Sequence, residues 1–214
     1  MSATAEVTAA PASAKARAIL DAAAELFITQ GYGAVSMDAV AKRASVSKAT
    51  LYAHFGAKDR LFAAIIQSAC LDMRGETPEM GPAGANLSDA SLFDAMLPMA
   101  IRWLSFLLRE RSLGMYRVVV AEGARFPELA RAFHENGPRA TRQWLTGWLA
   151  AQAARGLLQA PDPALAADQC LALLRSEMFL QATLGIGPLP DEAAIAASAA
   201  AAVRTFCRAY GAAG

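Results

Sequence analysis

Between Gln30 and Arg60 the chain gathers side chains suited to grip an anionic polymer. Lys42, Arg43, Lys48, Lys58 and Arg60 stand there against Asp38 and Asp59, and five cations less two anions leave +3 on a short segment. The whole 214-residue chain carries only +1. Recognition of phosphates depends on local charge, so the segment matters more than the total. Lys48, Thr50, Tyr52 and His54 place an ammonium, a hydroxyl, a phenol and an imidazole along one short stretch. Such groups can meet both phosphates and base edges. Catalytic chemistry finds no comparable set. His134, Glu135 and Cys170 are the nearest approach, with no Ser/His/Asp order, phosphate loop or metal-ligand spacing beside them. Cys70, Cys170 and Cys207 are odd in number and far apart, as expected of reduced, mostly buried thiols. The expectation is a protein that is not an enzyme and needs neither cofactor nor metal.

The elements that must carry these groups are helical. Hydrophobic residues make up 55% of the chain and charged residues 18%, below the ~25% of an average globular protein. That shortfall fits either apolar area hidden in an interface or pocket, or simply an alanine-rich composition. Residues 1–13 lack the charged and apolar regions of a secretory signal and are expected to form a disordered tail. Apolar runs fall short of the ~18–20 residues of a membrane span, so a cytoplasmic protein without membrane contact is expected. Ile19, Leu20, Ala23, Leu26 and Phe27 recur at helical spacing and predict a first helix over 14–29. Ser36 and Ser47 are placed to cap helices over 37–44 and 48–55, and a further helix follows over 58–73.

Two short helices joined by a three-residue turn have the dimensions of a DNA-reading helix-turn-helix, with the first helix as their platform. Val40, Ala44, Val46, Leu51 and Phe55 form the apolar side, which leaves Lys48, Thr50, Tyr52 and His54 for solvent or DNA. The glycines and prolines of 75–85 mark a boundary between head and body. Beyond it the pattern predicts helices over 88–108, capped by Ser88 and kinked at Pro98, and over 113–124, apolar around most of its circumference and so central. A short helix opens at Pro127 and is broken by Gly137-Pro138. Helices over 139–155, 164–185 and 191–210 complete an all-α chain. The resulting division is a tail over 1–13, a helix-turn-helix head over 14–56, a connecting helix over 57–74 and a helical-bundle body over 75–214.

The segment VSMDAVAKRASVSKATLYAHFGAKDRLF, residues 35–62, resembles the DNA-binding domain of the tetracycline-repressor (TetR) family. Helix cap, short reader, glycine break and next helix stand in family order over residues 14–66. The resemblance implies a dimeric regulator on a palindromic double-stranded operator, with half-sites about one helical turn (~34–36 Å) apart or a multiple of it. Lys48, Tyr52 and Lys58 are implied to hold phosphates, with Ser36 and Ser47 adding contacts at their helix starts. Thr50 and His54 are implied to face the major groove, with Ala49 beside Lys48 contributing there. Ser45 departs from the glycine usual in the turn, and Ala57 from the usual Ser or Asn cap; both bear on stability more than on function.

The body collects the heavy apolar side chains, among them Met96, Met99, Trp103, Phe106, Met115, Tyr116, Phe133, Trp144, Trp148, Met178 and Phe179. By residue type these suit a filled core or an apolar cavity between helices. TetR-like bodies hold an inducer there, so the resemblance favours a cavity for a small apolar or aromatic ligand. Its expected lining is Met99, Trp103, Phe106, Tyr116, Val119, Phe133, Trp144, Trp148 and Met178. Polar neighbours such as Arg117, Glu122 and His134 are candidates to orient a ligand. The segment YRVVVAEGARFPELARAFHENGP, residues 116–138, is similar to the AefR-like branch of the family. In the family the last two helices pair with their symmetry mates, implying a homodimer through them. A repressor is expected; an activator, or a regulator sensing through thiols or a protein partner, are the alternatives.

Overall fold

The computed structural model describes residues 14–75 and 92–211. The predicted tail, the Ser88 cap and the boundary loop lie outside the described residues. The head opens with α1 (Ala14–Gln30), whose Ile19, Leu20, Ala23, Ala24 and Phe27 form a buried stripe. α2 (Met37–Arg43) and α3 (Lys48–Phe55) follow, then α4 (Lys58–Gly75). Leu61, Phe62, Ile65, Ile66 and Cys70 of α4 enter the same core as α1, so this helix completes the head as well as leading out of it. Phe27, Tyr32 and Phe62 meet ring to ring at centroid distances of 5.4 to 5.9 Å.

The body comprises α5 (Leu92–Leu107), α6 (Glu110–Glu122), α7 (Pro127–His134), α8 (Ala140–Ala154), α9 (Pro163–Leu174), α10 (Glu177–Leu184) and α11 (Glu192–Tyr210). α11 lies along α5 and α9, offering Ile195, Ala199, Ala202, Val203 and Phe206 at helical spacing. Its alanines let the backbones approach closely. β-type backbone pairing is confined, among the described residues, to one antiparallel bridge between Leu158 and Gly211.

Three expectations are corrected. Gly137-Pro138 does not break the chain: a π turn, Glu135–Arg139, carries α7 into α8. A wider turn accommodates Pro138, which lacks a donor and would crowd the carbonyl four residues back in a regular helix. The helix expected over 164–185 divides, because Arg175 leaves helical geometry (ψ 62°) and Ser176 takes the extended N-cap conformation. α6 is not buried all round. It sinks Leu113, Gly114, Met115 and Val118 between head and body, and leaves Val120 exposed. Pro127 opens its helix as expected, and α5 runs on through Pro98.

Candidate nucleic-acid interface and ligand cavity

The reader helix α3 is held by little and shows much. Leu51 is its one buried residue. Ser47 caps it, its Oγ accepting from the Thr50 N–H at 3.0 Å and lying 2.8 Å from Thr50 Oγ1. Ser36 caps α2 in the same way through the Ala39 N–H, 3.1 Å away. Between them the turn closes as a Schellman motif: the Ser45 N–H donates to the Lys42 carbonyl and the Val46 N–H to that of Ala41. Ser45 sits there at φ 54°, alone among the described non-glycine residues in that region. Lys48, Ala49, Tyr52 and His54 are exposed and Thr50 half-buried. Tyr52, 49% exposed, does not cap the head's own core. Lys48 pairs with Asp38 across the motif. His54 Nδ1 lies 2.8 Å from the Thr50 carbonyl. A carbonyl only accepts, so Nδ1 carries a proton, which leaves Nε2 as the acceptor in the Nδ1–H tautomer.

Lys58 stands apart from this row. Its Nζ donates to the carbonyls of Tyr32 (2.8 Å) and Val35 (3.0 Å) and lies 4.4 Å above the Tyr32 ring. Burial lowers its pKa, opposed by the nearby carboxylates of Glu122 and Glu128. Two of its three protons are thus spent inside the protein. Beside it, Glu122 at the end of α6 accepts from the Tyr32 N–H (2.7 Å) and the Gly33 N–H (2.8 Å). A Cβ on Gly31, which has φ +84°, would stand 2.5 Å from the Glu122 carboxylate, so the missing side chain is what admits it. Glu122 is therefore a latch between body and head rather than a ligand-orienting group. Arg117 is likewise committed, donating to the Thr183 (2.7 Å) and Ala182 (2.5 Å) carbonyls near the end of α10.

Head and body border a cavity of about 960 Å³ that is open to solvent. Trp103, Phe106, Tyr116 and Phe133 of the expected set line it, as does His134. Met99 and Trp144 line a smaller void of about 60 Å³, which shares Trp103, Thr141 and Leu171 with the larger one. Val119, Trp148 and Met178 line neither. Val119 packs on the head core, and Trp148 and Met178 belong with the body core. The expectation missed the α1 and α4 wall, including Leu20, Ile65, Ile66 and Cys70. Those residues read as ordinary head core, and their spacing carries no sign that a second face of α4 meets a void. Arg175 also lines the cavity, because the break before α10 releases it from the helix. Burial pushes the Cys170 thiol up to about 12, with Cys207 adding to the effect, so neither property favours a reactive thiolate there.

Residues 19–65 match the family of bacterial regulatory proteins of the tetR type. Residues 94–212 match the AefR-like transcriptional repressor C-terminal domain. Among solved structures, the flavonoid-responsive regulator FrrA is 38% identical, with a TM-score of 0.73 over 94% of this chain and 98% of that one. A TetR-family regulator from Mesorhizobium loti is 29% identical, with a TM-score of 0.77 over 92% and 96%. The transcriptional activator FasR of Mycolicibacterium smegmatis is 49% identical over 49 residues, and the match spans 23% of this chain and only 22% of FasR. With a capped helix-turn-helix in front and an AefR-like body behind it, the chain belongs to the TetR family of bacterial regulatory proteins.

Proposed function

We propose that this protein is a ligand-responsive repressor that binds a palindromic operator as a homodimer. The observation that carries the DNA reading is α3 itself: Leu51 is buried and Phe55 packs on the head core, while Lys48, Ala49, Tyr52 and His54 are exposed. Lys48 and Tyr52 grip phosphates, helped by the helix starts at Ser36 and Ser47. Thr50 and His54 read base edges, with Ala49 close enough to pack against a thymine methyl. His54 Nε2, an acceptor, suits the exocyclic amine of adenine or cytosine. Lys58 mainly fixes the head's frame and has one proton left for a phosphate.

Dimerisation is supported by exposed leucine and isoleucine side chains at the α10 end. Leu180, Leu184, Ile186 and Leu189 are each more than two-fifths exposed, and α11 follows them with a small-residue face. A clustered apolar surface of this kind favours a self-complementary interface. The ligand reading is supported by the cavity between head and body, and by the flavonoid-responsive relative, which points to a flat aromatic effector. Its wall includes α4, so occupancy and head position are linked. A coupling of ~1–3 kcal/mol changes operator affinity about 5–150-fold.

Selection from random-sequence duplex DNA, followed by salt titration of the enriched sequence, tests the reading. A palindromic winner is expected. Tyr52→Ala weakens binding to all sequences, whereas Thr50→Ala relaxes base preference at one position per half-site. Absence of enrichment by intact helical protein at every salt concentration overturns it.

A further inference from the structure

The cavity wall is not electrically neutral once its internal pairs are cancelled. Arg17 is matched by Asp72, Arg111 by Asp21 and Arg142 by Asp168, all residues of the wall itself. Arg139 is matched by Glu135 on the π turn. Arg175 differs. Among the described residues no carboxylate lies within ion-pair distance of it. Its guanidinium instead lies 5.8 Å from the Trp103 ring centroid and 5.7 Å from that of Phe179. Among the described residues Arg109, at the α6 N-cap, likewise has no carboxylate at ion-pair distance and adds to the same sign.

Ring faces attract the guanidinium but accept none of its planar set of N–H donors in line, and among the described residues no oxygen accepts from them. Water serves those donors while the cavity is open. A ligand that fills the cavity displaces that water, and a cation left without an acceptor then opposes binding. A neutral apolar ligand meets this cost for every donor that it covers, although Arg175 itself is exposed. A carboxylate or phenolate oxygen removes it, and a carboxylate matches the guanidinium fork with two parallel bonds. The rings continue beyond Arg175: Tyr116 lies 5.5 Å from Phe179 and 6.0 Å from Phe133, centroid to centroid.

We infer that the cavity takes a flat aromatic anion, with its rings against Trp103, Phe179 and Tyr116 and its ionised oxygen on Arg175. This rests on the ligand-cavity reading above and adds to it the charge of the ligand and the residue that anchors it. The test uses the full-length protein and two probes of one three-ring shape, 2-phenylquinoline-4-carboxylate and its neutral 4-carboxamide, titrated by quenching of tryptophan fluorescence. The wild type binds the acid more tightly by roughly tenfold to a hundredfold, the effect of one charge-assisted contact. Arg175→Met brings the acid down to the amide's affinity and leaves the amide unchanged. If Arg175→Met binds neither probe, Arg175→Lys decides: a retained preference for the acid supports the anchor and a lost one overturns it. Equal binding of both probes by the wild type, or an acid preference that survives in Arg175→Met, overturns the inference while the ligand cavity stands. Failure of both probes to bind the wild type overturns the cavity reading with it.

Discussion

Head and body are both made of alanine-rich amphipathic helices, and both bury an apolar cluster to completion, yet they use their polar groups in opposite directions. In the head, serines are consumed at helix ends so that α3 can be presented to the outside. In the body, arginines and aromatic rings turn toward an interior space. A surface reader needs a stiff support and few buried residues of its own. A ligand site needs a space left unfilled, and the surrounding core must be strong enough to keep it. The head is not self-sufficient, however: Met115, Val118 and Leu129 of α6 and α7 help complete its core.

The largest effect that separates the two regions is expected in the body core. Leu104 is fully buried on α5, and Leu104→Ala is expected to cost about 2–5 kcal/mol of stability by leaving a cavity. Chemical denaturation followed by circular dichroism measures it. A single coincident transition for whole-chain helix signal and head-specific operator binding keeps the two regions one folding unit, and separate transitions break the pair apart.

Next comes the latch. Glu122→Gln keeps the size of the side chain but turns one of two acceptors into a donor, so one of the Tyr32 and Gly33 N–H groups loses its partner. A loss of about 1–3 kcal/mol is expected. Ligand titration of the operator complex should show a smaller fold-change than the wild type, although Glu122 does not line the cavity. An unchanged response assigns the coupling to α4 alone.

A smaller effect is tied to pH. Burial, then Glu128 and Asp59, push the Tyr32 phenol up to about 12. The folded state therefore keeps a proton that the unfolded chain releases near pH 10. Stability from this group is fully present below pH 10 and is lost as pH rises toward 12, at no more than about 1.4 kcal/mol per pH unit. Tyr32→Phe should flatten that part of the alkaline stability profile, and an unchanged slope counts against it. Smallest is the turn. Ser45→Gly relieves a side chain at φ 54° and is expected to add about 1 kcal/mol to thermal stability without changing operator affinity.

The head was legible because its signals are local. Ser36 and Ser47 announce helix starts within three residues of the groups they bind, and the missing glycine at Ser45 points to strain at the position where the backbone carries it. The body was legible only as helices. Arg175 and Ser176 interrupt a continuous apolar pattern with no glycine or proline to mark the break, so a single helix over 164–185 was the natural reading. The π turn escaped for the converse reason: Gly137-Pro138 advertises a stop that a widened turn avoids. Val119, Trp148 and Met178 have the right chemistry for a ligand wall, but whether such a side chain faces a void or a neighbour depends on contacts between distant helices.

The π turn makes α7 and α8 a single shaft with two bearings. Leu129 faces the head, while Gly137, Thr141, Leu145 and Leu149 follow at intervals of four and eight residues. On a regular helix each step of four overshoots a full turn by ~40°, so such a line drifts around the cylinder. The wide turn at Glu135–Arg139 takes up part of that drift between the two bearings. Chain length there is thus a matter of phase. Deleting one residue would preserve the apolar content of both halves and rotate one against the other by ~100°, a gear cut one tooth short.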